Sequence, residues 1–436
     1  MKKIFFFAVV LFAAAAVVFA AGQKEGEPSD DVTSTGQIAL TFSTWTITEE
    51  TFGHPIQEIL KRFEEDNPNV KIDVLGVPFA QYKDQLVIAA TGGNPPDVIH
   101  GNSQTMISYY GLDLLEPLDD LAPQELIDDL FETNLKGVKF DGQIMAIPWA
   151  PHPNPLLYNK DLLKRAGLDS GSPPEEWAEL DSMARKVAEI GTDSEGNRIW
   201  GIAIANAKQS HSGVVFEANV RAHGGSYFDE TGTKPRFNTE PVKSAFREMK
   251  RWAEDDIMPT GVWQVDIRGL FSARRLGFNS DFEGARGIYR NTSGMGEDFD
   301  PLLGVAVMPK SPVTGRSETI FTEHELAVAK ASKHKEVAMD LIEHFVGKEM
   351  MIYYHGTNGV LSARKSLAGL PEMSDPFVDV YYKQLETASP LPARHPAYDN
   401  AMLLVKEALE RVLTNNEDID TVLDETQEKV VKLYSE

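Results

Sequence analysis

Ten histidines and no cysteine bound the metal and nucleophile chemistry open to this chain. His324-Glu325 opens an H-E-x-x-H pattern, in which two imidazoles one helical turn apart hold zinc and the glutamate acts as base. Position 328 is Val328, so the second ligand is missing. Thiolate catalysis is excluded outright. No G-x-S-x-G elbow, phosphate-cradling Walker loop or G-x-G-x-x-G turn occurs. Asp193-Ser194-Glu195-Gly196-Asn197 starts like a calcium loop but lacks the later bidentate acid; it reads as a turn, as does Asp229-Glu230-Thr231-Gly232. The 66 acidic residues make so many pairs that none singles out the two carboxyls of a glycosidase. Neither a cofactor nor a resident metal is expected, and the missing motifs favour binding over turnover without excluding an enzyme.

The elements that would position a binding site are legible. Ile38, Leu40 and Phe42 alternate as a strand that Ser43-Thr44-Trp45 ends. Pro55 is read as opening a helix, with Ile56, Ile59, Leu60 and Phe63 on one face. Asn67-Pro68-Asn69 stops it before a second strand, Val70, Ile72, Val74. Tyr82, Leu86, Ala89 and Ala90 line the next helix, which Gly92-Gly93 terminates. Asp97-Val98-Ile99 makes a third strand. Phe140-Asp141-Gly142-Gln143 predicts a hairpin turn, and the proline-punctuated run Pro148 to Pro153 predicts a crossing between two αβ blocks. Further helices are expected over 173–189, 212–222, 241–255 and, with a break at Thr414-Asn415-Asn416, 400–434. Strand–helix alternation with short turns predicts α/β lobes with mainly parallel sheets.

The basic start Met1-Lys2-Lys3 precedes an apolar run from Ile4 to Ala21, and Val18-Phe19-Ala20 fits a signal-peptidase site; residues 1–20 read as a cleaved export signal and 21–36 as a disordered leader. The absence of cysteine excludes a lipidated N-terminus, so the product is expected to be soluble and periplasmic or otherwise extracytoplasmic. Losing Lys2 and Lys3 takes the formal charge from −24 to −26. Such acidity opposes nucleic-acid binding, which needs excess Lys and Arg. Roughly 415 remaining residues suit two cores rather than one.

In order along the chain, Phe63–Asp73 (FEEDNPNVKID), Tyr82–Val98 (YKDQLVIAATGGNPPDV), Gly111–Asp119 (GLDLLEPLD), Phe140–Asp161 (FDGQIMAIPWAPHPNPLLYNKD) and Gly356–Ser366 (GTNGVLSARKS) resemble extracellular solute-binding protein family 1. Blocks at 162–177, 224–238, 304–309 and 326–350 complete the set. These are the sugar-type receptors of bacterial ABC importers. The resemblance implies the two-lobed periplasmic-binding-protein fold of class II type, with hinge crossovers and an interlobe cleft. It places residues 37–148 plus 279–323 in an N-terminal lobe and 149–278 plus 324–436 in a C-terminal lobe. It further implies a monomer that closes on a solute, performs no chemistry, and delivers it to ABC permease subunits. The chain departs from the family pattern at Thr322–Glu325, where a Gly-Gly type loop is common, and at Phe278–Asp281, where Gly-x-Trp is common. Both segments face ligand in the family, so Glu323, His324 and Asp281 would make this cleft polar.

A sugar trap needs flat aromatic surfaces for C–H faces, plus side chains that donate and accept for hydroxyls. Trp45, Tyr82, Trp149 and Trp263 are the aromatic candidates. Asn102, Gln104, His152, Asn154, Asn206 and His211 are the hydrogen-bonding ones, joined by Asp281, Glu323 and His324 through the resemblance. Trp177, Trp200 and Trp252 read as structural. Two other readings stay open: the same fold holding a polyol, glycerophosphodiester or amine-bearing solute, and a secreted carbohydrate-active enzyme.

Overall fold

Alternating apolar residues build the first strand, Ile38–Thr44, which buries Leu40 and Phe42. The computed structural model describes residues 37–207 and 209–436; the expected export signal and leader lie outside the described residues. The first strand pairs in parallel with Val70–Gly76 on one side and Val98–Asn102 on the other. The long strand Thr319–Val328 then adds antiparallel to Val98–Asn102, and its opposite edge takes Ile147–Pro153. Ala388–Pro390 completes this six-stranded sheet. A second sheet runs Leu303–Ala306, Leu156–Asn159, Leu276–Ser280, Trp200–Ile202.

The strand memberships differ from the expected boundaries at 149, 279 and 324. Ile147–Pro153 lies wholly in the first sheet, and so does Thr319–Val328, whereas Leu303–Ala306 belongs to the second. Helices Lys335–Val346 and Lys348–Asn358 also pack on the first sheet's side. Phe345 lies 5.3 Å from Phe42, His344 meets Phe63 edge-on, and Arg62 lies over Tyr353. The final helices, Tyr398–Leu413 and Ile419–Leu433, rejoin the second lobe, where a Cβ on Gly213 would meet the Met402 carbonyl at 2.5 Å. Periodicity names an element's type and its buried face; it does not say which sheet the element extends.

Local expectations fare better. Lys139–Phe140 pairs with Gln143–Ile144 across a turn with Asp141 and Gly142 at φ 49° and 87°, the positive pair a two-residue hairpin requires. The helix read as opening at Pro55 instead spans Glu50–Asp66 and carries Pro55 inside it. The buried stripe Ile56, Ile59, Leu60 and Phe63 holds this helix, and proline near the N-terminus forfeits a single backbone bond. The final helical stretch breaks at 414–418, as expected.

The chain passes between sheets at Pro153–Asn154, between Ala306 and Thr319, and again after Pro390. At the first two crossings the strands are bonded to each other. Thr319 Oγ1 donates to the Asn154 carbonyl at 3.0 Å, and Asn154 N–H to the Ile320 carbonyl at 3.4 Å.

Candidate functional site

Between the two sheets lies a cavity of ≈ 260 Å³. From the first lobe it is walled by Trp45, at the end of the first strand, and by Glu49, Phe52 and Phe79. Asn102, Gln104, His152, Thr322 and His324 add a polar ledge. The second lobe contributes His211, Trp263, Arg268, Asp281 and Phe282. This is where open α/β sheets place ligands, beyond the carboxyl ends of parallel strands.

Of the thirteen expected site residues, Trp45, Asn102, Gln104, His152, Asn154, His211, Trp263, Asp281, Glu323 and His324 line this cavity. Three do not. Tyr82 is buried with its hydroxyl 2.6 Å from the His100 carbonyl and 2.9 Å from that of Ser43, and it accepts from Ser43 Oγ at 3.0 Å. It ties its helix to the ends of two strands and supports the edge of Trp45 at 5.1 Å. Tyr82→Phe should lower the unfolding free energy by roughly 1–2 kcal/mol in urea titration, because the buried carbonyls lose a donor.

Trp149 is 1% exposed. It is the extra residue of a bulge, since His324 faces Ala150 while Glu325 faces Pro148, and bulges re-aim side chains. Its indole stacks on Tyr354 at 4.9 Å, inside the core rather than the cleft. Asn206 is a loop staple: its Nδ2 donates to the Ile204 and Pro259 carbonyls, and its Oδ1 accepts from Gly261 and Val262 N–H. It therefore fixes the loop that presents Trp263.

The other polar residues are differently committed. Asn102 lines the cavity and caps the helix Ser103–Gly111, its Oδ1 accepting from Gln104 and Thr105 N–H. Gln104 reaches Asp399, at the start of a second-lobe helix, at 3.4 Å. His152 Nδ1 lies 2.7 Å from Glu283 Oε1, both buried. Trp45 stacks on His100 at 3.9 Å and meets His324 edge-on at 5.1 Å.

Strand alternation separates neighbours in Thr322–Glu325. His324 faces the Trp45–His100–His152 rings, whereas the Glu323 carboxyl accepts from Asn134 Nδ2 at 2.5 Å and Glu325 from Ser103 Oγ at 2.8 Å. Glu323 thus borders the cavity with its carboxyl turned away from His324. Burial pushes Glu325 up to about 7, and burial with the neighbouring Glu325 raises Glu323 well above the carboxylate range. A carboxyl with a raised folded-state pKa stabilises fully below its unfolded value and loses that contribution as pH rises through the folded one. Stability should fall between about pH 4.5 and 7, by up to roughly 3 kcal/mol for a shift of this size, and Glu325→Gln should flatten that slope in urea titrations across pH.

Sequence reasoning missed Glu49, Phe52, Phe79, Arg268 and Phe282. Arg268 forks onto Asp281, with Nε and Nη2 each at 2.8 Å from a carboxylate oxygen. Tyr289 Oη and Phe282 N–H also donate to Asp281, and Arg268 lies over the Phe282 ring at 5.2 Å. Burial drives Glu49 up to about 7 although Arg268 opposes it. Burial lowers His211 to about 4 and His324 well below the imidazole range, so both are neutral at pH 7. Phe52 and Phe79 carried a legible signal, aromatic side chains at the starts of helices that follow strands; Arg268 carried none. Among the described residues no group of three or more His, Asp or Glu is arranged to hold a metal ion.

Two α/β lobes closing a cavity lined by rings, hydrogen-bonding groups and a paired Arg268–Asp281 define a solute receptor. The chain belongs to the bacterial extracellular solute-binding protein family, whose sequence model matches residues 48–352. The family consists of receptors, not enzymes. A putative binding protein of Brucella abortus (strain 2308) is 23% identical over 76% of this chain and 77% of its own. The sn-glycerol-3-phosphate-binding periplasmic protein UgpB of Escherichia coli (strain K12) is 26% identical over 36% of this chain and 37% of its own. The crystal structure of an ABC transporter solute-binding protein from Thermotoga lettingae TMO, bound with α-D-tagatose, superposes with a TM-score of 0.77 at 19% identity. It covers 91% of this chain and 98% of that one, and it shows the fold. The expected periplasmic-binding-protein architecture is therefore the observed one.

Proposed function

We propose that this protein captures a carbohydrate outside the cytoplasm by closing its two lobes and hands it unaltered to the permease of an ABC importer. The observation that carries this reading is the pairing of aromatic walls across the cleft. Trp45, Phe52 and Phe79 stand on one lobe and Trp263 and Phe282 on the other, with histidines and amides between them. Rings offer surfaces to the C–H faces of a sugar; neutral imidazoles and carboxamides both donate and accept, as a rim of hydroxyls requires. Among the described lining residues the only arginine is Arg268, and its fork is occupied by Asp281. A phosphate ligand would want an unopposed arginine fork. That favours the class bound by the Thermotoga lettingae protein over the one named for UgpB. An extracytoplasmic location, reached through the signal at residues 1–20, belongs to the same proposal; among the described residues no helix is long and apolar enough to cross a membrane.

The test is thermal unfolding and small-angle scattering of ligand-stripped protein against mono- and oligosaccharides, polyols and glycerophosphodiesters. A sugar at one hundred times its Kd should add about 2.7 kcal/mol of stability and shrink the radius of gyration. Stabilisation by glycerophosphodiesters alone would replace the carbohydrate with the alternative solute.

A further inference from the structure

Four residues, Asn154, Val215, Gln264 and Ser280, line both the interlobe cavity and a smaller one sunk into the second lobe. The smaller cavity offers ≈ 50 Å³ to the centres of water-sized groups. At about 10–15 Å³ per such group, it suits about four heavy atoms. Its deeper wall is apolar, with Leu156, Ile202, Ala205 and Met308. Set in that wall are Asn219 and Asn279, 4% and 2% exposed.

Both amides, and Ser280 at the rim, have buried polar atoms without a protein partner: Asn219 Nδ2, Asn279 Oδ1 and Ser280 Oγ. The orientation of Asn279 follows from its neighbours. Tyr289 has one hydroxyl proton and places it on Asp281 Oδ2 at 3.2 Å, so it accepts from Asn279 Nδ2 at 2.9 Å. The Asn279 oxygen is then left as the unused acceptor. Each unmet buried group costs about 1–3 kcal/mol, so the second lobe carries an acceptor, a donor and a hydroxyl that call for a complementary occupant.

We propose that this annex is a specificity pocket for the acetamido group of an N-acetylated sugar. The inference rests on the carbohydrate reading above and narrows it. The acetamido group has four heavy atoms. Its N–H donates to Asn279 Oδ1, its carbonyl accepts from Asn219 Nδ2 or Ser280 Oγ, and its methyl packs on the apolar wall. A bare hydroxyl could donate to Asn279 Oδ1 and accept from Asn219 Nδ2 or Ser280 Oγ, but it would leave the apolar wall unfilled.

Isothermal titration with matched sugars decides it: glucose, galactose and mannose against their 2-acetamido forms, and cellobiose against chitobiose. In the pair whose stereochemistry fits the cleft, the acetamido sugar should bind at least about 30-fold more tightly. Ala205→Leu, which fills the annex, should bring that ratio near one. Ser280→Ala, a smaller change that keeps the test alive if the first variant unfolds, should shrink that ratio about tenfold. Equal affinities within every pair, or a preference that survives Ala205→Leu in folded protein, would overturn the annex assignment and leave a sugar receptor standing; water would then be its occupant. If no sugar of either kind binds, the carbohydrate reading itself fails and takes the annex with it.

Discussion

Arg268→Ala should lower the unfolding free energy by roughly 3–5 kcal/mol, a larger loss than any other single change at the cleft. The carboxylate of Asp281 has a side chain only 3% exposed, and Arg268 supplies two of its four donors. Removing the guanidinium leaves Tyr289 Oη and the Phe282 N–H to hold a buried charge. Asp281→Ala should cost less, because the Arg268 side chain is 22% exposed and its charge can turn to solvent. The double variant should be more stable than the sum of the single losses implies, since neither charge is then stranded. Urea titration of the three variants checks this; a loss below about 1 kcal/mol for Arg268→Ala would show that the Asp281 carboxylate is held by other partners in the native protein.

Trp263→Ala should weaken carbohydrate binding by about 30-fold or more while changing stability little. An aromatic anchor at the centre of a closed site carries about 2 kcal/mol or more of binding energy. Trp263 precedes the helix Gln264–Ser272 on a loop held by Asn206, and its ring meets His211 edge-on at 5.9 Å. Few core contacts depend on it. Trp45→Ala is the contrasting case, because Trp45 is 3% exposed and packs against His100, Phe79, Tyr82 and His324. That variant should lose stability and affinity together. Titration calorimetry alongside unfolding curves separates the two; unchanged affinity in Trp263→Ala would remove Trp263 from the ligand site.

Much of this protein was readable as a string. Alternation at Ile38, Leu40 and Phe42, the turn at Asp141-Gly142 and the helical faces of 240–254 and 398–433 are short-range facts, set by backbone geometry and side-chain burial within a few residues. The absence of cysteine and of a complete zinc, phosphate or nucleophile motif likewise needed no coordinates. Residue type alone raised Trp45, Trp263, His152 and His211, and all four line the cavity.

Tertiary structure decided which of several chemically equivalent residues face the ligand space. Trp149 and Trp263 are the same amino acid beside similar proline-bearing segments, but a one-residue bulge turns the first into the core. Glu323 and His324 are neighbours on one strand, and only pairing with Ile147–Pro153 and Val98–Asn102 determines which looks toward Trp45. The Arg268–Asp281 fork joins a helix to a strand end thirteen residues on, and the annex gathers Leu156, Asn219 and Asn279 from three separate segments. Sequence spacing encodes periodicity along a segment; it holds no record of which distant segments that periodicity will bring face to face.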